Sequence, residues 1–161
     1  MIYYFAYGSN MDKEDLDKWC KKKGHPVVEP LSTPSPAKLN GYKLSFNYLS
    51  PSRNAGAANI IESENDCVYG LLSGLGDSDL DTIRVKEGCP TFYNEIYVDV
   101  EKFDGTLVQN VKTYKVVKDQ EKPGHQPPTK YYLQLLIKNA KRYNFPDDYI
   151  RYLETIKAKG E

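Results

Sequence analysis

Between Tyr42 and Val117 the sequence runs through one strand-like segment after another, and most connections are too short to hold a crossover helix. Antiparallel neighbours need only a few linking residues, whereas parallel ones need a dozen or more. Tyr42-Lys43-Leu44-Ser45-Phe46-Asn47-Tyr48 alternates with period two, as a half-buried strand does. Residues 57–61 and 68–73 read as two more strands, joined by the polar run Glu62-Ser63-Glu64-Asn65-Asp66 as a hairpin. Residues 92–100 and 107–117 follow, separated by the turn Asp104-Gly105. With residues 2–7, read as a first strand buried on both sides, this gives six strands, mostly antiparallel. The regular strand–helix alternation of a parallel sheet is missing, so the fold class is α+β, a small, mixed, partly closed β-barrel with helices packed around it.

The helices are legible from their caps and stripes. Residues 12–22 form a short polar helix with an apolar stripe of Leu16, Trp19 and Cys20, stopped by Gly24. Asp77-Ser78-Asp79 caps a helix running to about Glu87, with Gly88 at its C′ position. Two closing helices span residues 129–143 and 146–159, the second with Pro146 at its first position. Residues 26–36 hold four prolines and read as irregular, and residues 50–56 are turn-rich. A chain of 161 residues suffices for one domain, expected over 1–161.

Charge and cysteine usage narrow the function classes. The 22 basic and 22 acidic side chains balance, leaving no field for nucleic acid or an anionic membrane. No apolar run approaches the roughly 20 residues of a bilayer span, and no signal peptide is read before the first strand. Cys20, Cys67 and Cys89 are odd in number and far apart, which argues for reduced thiols, a cytoplasmic setting and no zinc site. His25 and His125 sit beside glycine or proline in loops and read as solvated. Of fourteen tyrosines, most suit half-buried strands and helix faces, and a minority can line a polar pocket.

Two places carry candidate chemistry. Gly8-Ser9-Asn10 follows the first strand, either as a plain turn or as a loop whose backbone amides face an anion. On the helix ending near Glu87 the inward positions are Leu80 and Ile83, and one further turn arrives at Glu87 instead of an apolar residue. That position is also in the last helical turn, where the helix dipole disfavours an anion. Burial and dipole both favour the protonated form, so a raised pKa is expected, as an acid–base carboxyl working near neutral pH requires. The alternative is a purely structural carboxyl bonded to a tyrosine or a strand end.

Taken together, Tyr4-Phe5-Ala6-Tyr7-Gly8-Ser9-Asn10, Glu87-Gly88, Tyr93, Pro127-Pro128-Thr129-Lys130-Tyr131-Tyr132 and Phe145-Pro146 resemble the γ-glutamylcyclotransferase family in order and over nearly the whole chain. The YGSN form is closer to the glutathione-pathway branch than to the γ-glutamylamine cyclotransferases, whose opening reads YGT-L. The resemblance implies release of 5-oxoproline from a small γ-glutamyl substrate, without metal or organic cofactor. In that reading Glu87 is the catalytic acid and base, and the amides of Tyr7, Gly8 and Ser9 hold the reacting carbonyl. Tyr4, Phe5 and Ala6 position the glutamyl backbone, Tyr132 bonds the α-carboxylate or its neighbour, and Tyr93 completes the binding set. Asn10 is read as structural and Arg53 as a solvated loop residue. The loops 88–92 and 50–56 depart from the family pattern and border the leaving group, so acceptor preference stays open, as does a homodimer. Two other functions remain: unloading a γ-glutamyl group from a carrier-bound intermediate, and a non-catalytic binding domain. Against the last stands Glu87, since a pure binder gains nothing from a desolvated, unpaired carboxyl.

Overall fold

The computed structural model describes residues 1–160. Five strands form a closed barrel in the order β1-β3-β2-β4-β5. They are β1 (Ile2–Ala6), β2 (Ser35–Ser50), β3 (Ala55–Leu75), β4 (Tyr93–Lys102) and β5 (Leu107–Val116). The helices are α1 (Lys13–Lys23), α2 (Asp77–Lys86), α3 (Lys130–Arg142) and α4 (Asp147–Thr155). β1 lies antiparallel to β3, from Ile2 opposite Leu75 to Ala6 opposite Leu71. The barrel closes where Tyr4 of β1 meets Lys112 of β5 in parallel. None of the described helices is long and apolar enough to cross a membrane.

The expected mixed barrel with surrounding helices is present, but the strand count falls from six to five. Residues 57–61 and 68–73 belong to one 21-residue strand, β3, and Glu62 to Asp66 make no hairpin between them. Both flanks pair with β2, Asn40 opposite Cys67 and Tyr42 opposite Glu62, so residues 63–66 bulge out opposite Gly41. Solvent reaches both sides of such a bulge, and its composition then resembles that of a turn. The Ser63 hydroxyl donates to the Asp66 carboxylate within it. β2 also starts earlier than the alternation of residues 42–48 implies. Ser35 and Pro36, at the end of the stretch read as irregular, already pair with Leu72 and Leu71 of β3, and Ala37 and Leu39 just after them are buried in the barrel. Within β1, Tyr3 is exposed, so this strand is not buried on both sides.

Helix ends differ from expectation in three places. Gly76 is the N-cap of α2, and no side chain of Asp77, Ser78 or Asp79 closes it. Pro146 is the N-cap of α4 rather than its first residue, and α4 stops at Thr155. The end of α1 is as read, with Gly24 in the left-handed region at φ 76°.

α2 bridges β3 and β4 and lays Leu80 and Ile83 against the barrel. Ile83 is fully buried, and its loss would leave a cavity directly beneath the end of α2. Ile83→Ala is expected to cost about 2–5 kcal/mol, read from the midpoint of urea unfolding. At the end of α2, Gly88 takes a left-handed φ of 65°. A Cβ there would also come within 2.7 Å of the Phe92 ring, so glycine is required for the chain to turn from α2 toward β4.

Candidate active site

β1 ends at Ala6, and the chain leaves the barrel through Tyr7 and Gly8 into a single 3-10 turn, Ser9–Met11. The turn is closed by Met11 N–H to the Gly8 carbonyl (3.1 Å) and Asp12 N–H to the Ser9 carbonyl (3.0 Å). Asp12 then caps α1 by accepting from the Asp15 amide. It also receives Asn139 Nδ2 (2.9 Å) and Lys138 Nζ (2.7 Å) from α3. Burial pushes the Asp12 carboxyl up, but these donors more than offset it and hold its pKa below the ordinary value. Gly8-Ser9-Asn10 is therefore a turn, anchored from below, and at the same time one wall of a cavity of about 770 Å3.

Glu87 faces that wall. It is the C-cap residue of α2, with its amide still bonded to the Ile83 carbonyl (2.9 Å). Its Oε1 accepts from Asn10 Nδ2 at 3.0 Å, and the same amide group donates to the Tyr4 hydroxyl at 2.9 Å. Lys86 Nζ donates to Asn10 Oδ1 at 2.6 Å. An ammonium has only donors, so this contact fixes which end of the Asn10 amide points at Glu87. Protein surrounds Glu87 and Lys86 closely, and each keeps part of its surface where it lines the cavity. Burial raises the Glu87 pKa, while Lys86, Arg53 and Asn10 act against it with less effect. Burial likewise lowers the Lys86 pKa, although Glu87 beside it acts to raise it.

The remaining wall is phenolic, and a defect in the barrel holds it. In the β2–β3 ladder Ser45 faces Asn59 and Tyr48 faces Ala57, so two residues of β2 stand opposite Ala58 alone. Such a bulge interrupts the ladder. The Ala58 N–H donates to the Tyr132 hydroxyl (2.9 Å), and the Ala58 carbonyl accepts from the Tyr93 hydroxyl (2.7 Å). The Tyr132 oxygen thus accepts the Ala58 N–H, and its own proton remains for a further acceptor. Burial lifts Tyr4, Tyr7 and Tyr93 well above the ordinary phenol value of 10.0. Tyr132 is pushed to about 12, again chiefly by burial. All four stay protonated donors at neutral pH.

Of the residues singled out in the sequence, Tyr4, Phe5, Tyr7, Gly8, Ser9, Glu87, Tyr93 and Tyr132 all line this one cavity. Ala6 does not line it. It is buried opposite Leu71, with its carbonyl packed where Gly70 has no side chain. Three other readings change. Asn10 bonds the carboxyl itself and is more than a brace for the loop. Arg53 is no free loop residue, since its Nη2 donates to Ser9 Oγ (3.1 Å) and its guanidinium lies 4.6 Å from the Tyr132 ring centre. Likewise His25 stacks on Trp19 at 5.2 Å, on the cavity's border. Lys86 was invisible in the sequence, because its position falls off the inward face of α2. Asn10 could have been found, as an amide can donate to one group and accept from another at a loop tip.

The closed five-stranded barrel with its four helices is the γ-glutamylcyclotransferase-like fold. The model of the AIG2-like family matches residues 67–153, more than half of the chain. The γ-glutamylcyclotransferase of Bos taurus is 27% identical over 158 residues, covering 95% of this chain and 77% of that protein. The Homo sapiens γ-glutamylcyclotransferase is 27% identical over 165 residues, covering 96% and 77%. A solved structure of a γ-glutamyl cyclotransferase superposes with a TM-score of 0.79 at 25% identity, covering 99% of this chain and 90% of that one. The chain belongs to the AIG2-like, γ-glutamylcyclotransferase family.

Proposed function

We propose that the chain releases 5-oxoproline from a γ-glutamyl amino acid, peptide or amine, with Glu87 as general acid and base. The observation that carries this reading is the Glu87 carboxyl held by Asn10 at 3.0 Å against the Gly8-Ser9-Asn10 turn. The substrate's α-ammonium cannot attack until it loses a proton, and Glu87 takes it. The freed amine bonds to its own γ-carbonyl carbon, closing the ring and placing negative charge on the carbonyl oxygen. Donors near Tyr7 and Gly8 stabilise that charge, at about 3 kcal/mol per donor in comparable sites. The Tyr132 hydroxyl, with its proton directed into the cavity, holds a carboxylate oxygen of the substrate. Glu87 then returns that proton to the leaving nitrogen, the old C–N bond breaks as the carbonyl re-forms, and the ring nitrogen's second proton passes by way of Glu87 to the departing amine. The departing amine leaves as its ammonium. Because the attack is intramolecular, much of the gain lies in holding the bent conformer.

The test is 5-oxoproline release from γ-glutamyl-alanine, followed beside Glu87→Gln. Turnover that depends on Glu87 supports the reading. No release from any small γ-glutamyl compound would overturn it in favour of a carrier-bound substrate or a binding role.

A pH dependence follows from the same groups. Glu87 must be ionised to accept the first proton, so kcat/KM falls as pH drops through its pKa, above the ordinary 4.5. Asn10 lowers that pKa by its hydrogen bond. Asn10→Ala is therefore expected to move the acidic limb of the kcat/KM profile to higher pH, with little change on the plateau. An unmoved limb would show that Asn10 leaves the carboxyl untouched.

A further inference from the structure

The chain's charges cancel, 22 against 22, but those on the cavity do not. Lys18, Lys22 and Lys23 of α1, Arg53 of the β2–β3 turn and Lys86 of α2 line it, against the carboxyls of Asp15 and Glu87. Asp15 already accepts the Tyr131 hydroxyl at 2.7 Å. Among the described residues none of the five cations stands in an ion pair. Some cations elsewhere do, including Lys13 of the same helix, bonded to Asp17 at 2.6 Å. Arg53 and Lys86 instead converge on one neutral hydroxyl, Ser9 Oγ, at 3.1 and 3.4 Å. The dipole of α1 accounts for lysines at its own C-terminal end. It does not account for cations of three separate elements facing one cavity. The lysines of α1 are exposed, whereas Glu87, Tyr93 and Tyr132 lie deeper, so the α1 side is the mouth.

We infer that the outer half of the cavity, bounded by Lys18, Lys22, Lys23 and Arg53, receives an acidic leaving group, an amino acid with a second carboxylate on its side chain. This deepens the cyclotransferase reading and rests on it. The glutamyl end occupies the phenolic interior beside Glu87, and the departing residue extends over α1. A cleft of one sign concentrates ligands of the other and speeds their arrival. Exposed charge pairs are individually weak, so the preference comes from the cluster and is eroded by salt.

The experiment compares γ-glutamyl-glutamate with γ-glutamyl-glutamine, near-isosteres that differ in one negative charge. Binding of each is measured by calorimetry to the full-length Glu87→Gln variant, so that turnover does not enter. The acidic compound is expected to bind about tenfold more tightly at low salt. That margin should vanish in about 0.5 M salt. It should also vanish when K18Q, K22Q and K23Q are added, with γ-glutamyl-glutamine affinity retained. Equal affinities, a margin indifferent to salt or to the lysines, or no binding of either compound would overturn the inference. The salt series needs no lysine variant and stands if the triple substitution impairs folding. Release of 5-oxoproline from γ-glutamyl-alanine by the unmodified protein is scored separately, so failure of the preference is distinguishable from failure of the chemistry.

Discussion

Glu87→Gln is expected to slow 5-oxoproline release by about 10²- to 10⁴-fold, the span associated with a positioned acid–base group, while making the protein more stable at neutral pH. The amide can still accept from Asn10, so the local geometry survives, but it cannot take a proton. The stability effect follows from the direction of the pKa shift. The unfolded chain releases the Glu87 proton near 4.5, and the folded one holds it to higher pH. Ionising this group therefore costs folding free energy as pH rises from 4.5 to the folded pKa, and the cost stays constant beyond that. Glutamine removes the cost. Thermal melts of the two proteins should diverge at pH 7, with the variant higher, and converge below pH 4.5. A variant that melts lower at pH 7 would mean that Glu87 is a stabilising structural carboxyl.

The second large effect concerns one hydroxyl reached from two sides. Tyr132→Phe leaves the Ala58 amide without its acceptor. A buried donor so orphaned costs about 1–3 kcal/mol. If the Tyr132 proton holds a substrate oxygen, turnover should also fall by about 10²-fold. Gly8→Ala acts on the same atom, because its Cβ would stand 2.9 Å from the Tyr132 oxygen. The Ala58 bond restrains that oxygen, so it cannot simply swing away. Both single variants should lose activity, and the double variant should be no worse than Tyr132→Phe alone, since groups sharing one partner are not additive. Losses that multiply would show that Gly8 matters for its own backbone.

How much of this was legible in the sequence differs by element. Period-two alternation exposed the middle of β2, and Gly24 and Gly88 marked the ends of α1 and α2, because these signals depend on neighbours within a few residues. Residues 63–66 misled because bulge and hairpin expose polar side chains equally, and only the partner strand tells them apart. The phase of Leu80 and Ile83 carried forward to Glu87, so the unusual carboxyl was visible. Arg53 and Lys86 were not, since their roles depend on β2, β3 and α2 meeting beside Ser9, a juxtaposition across more than 40 positions that no local pattern records.

The single peptide unit at Ala58 has a consequence for how this barrel tolerates change. It ties a residue of α3 and a residue of β4 to one point, so the spacing between those two phenols is inherited from how two long strands are aligned. An inserted or deleted residue anywhere along that alignment could be absorbed by the barrel as a whole and still dismantle the pocket. Surveillance of folding alone would pass such a protein as intact while its chemistry had gone.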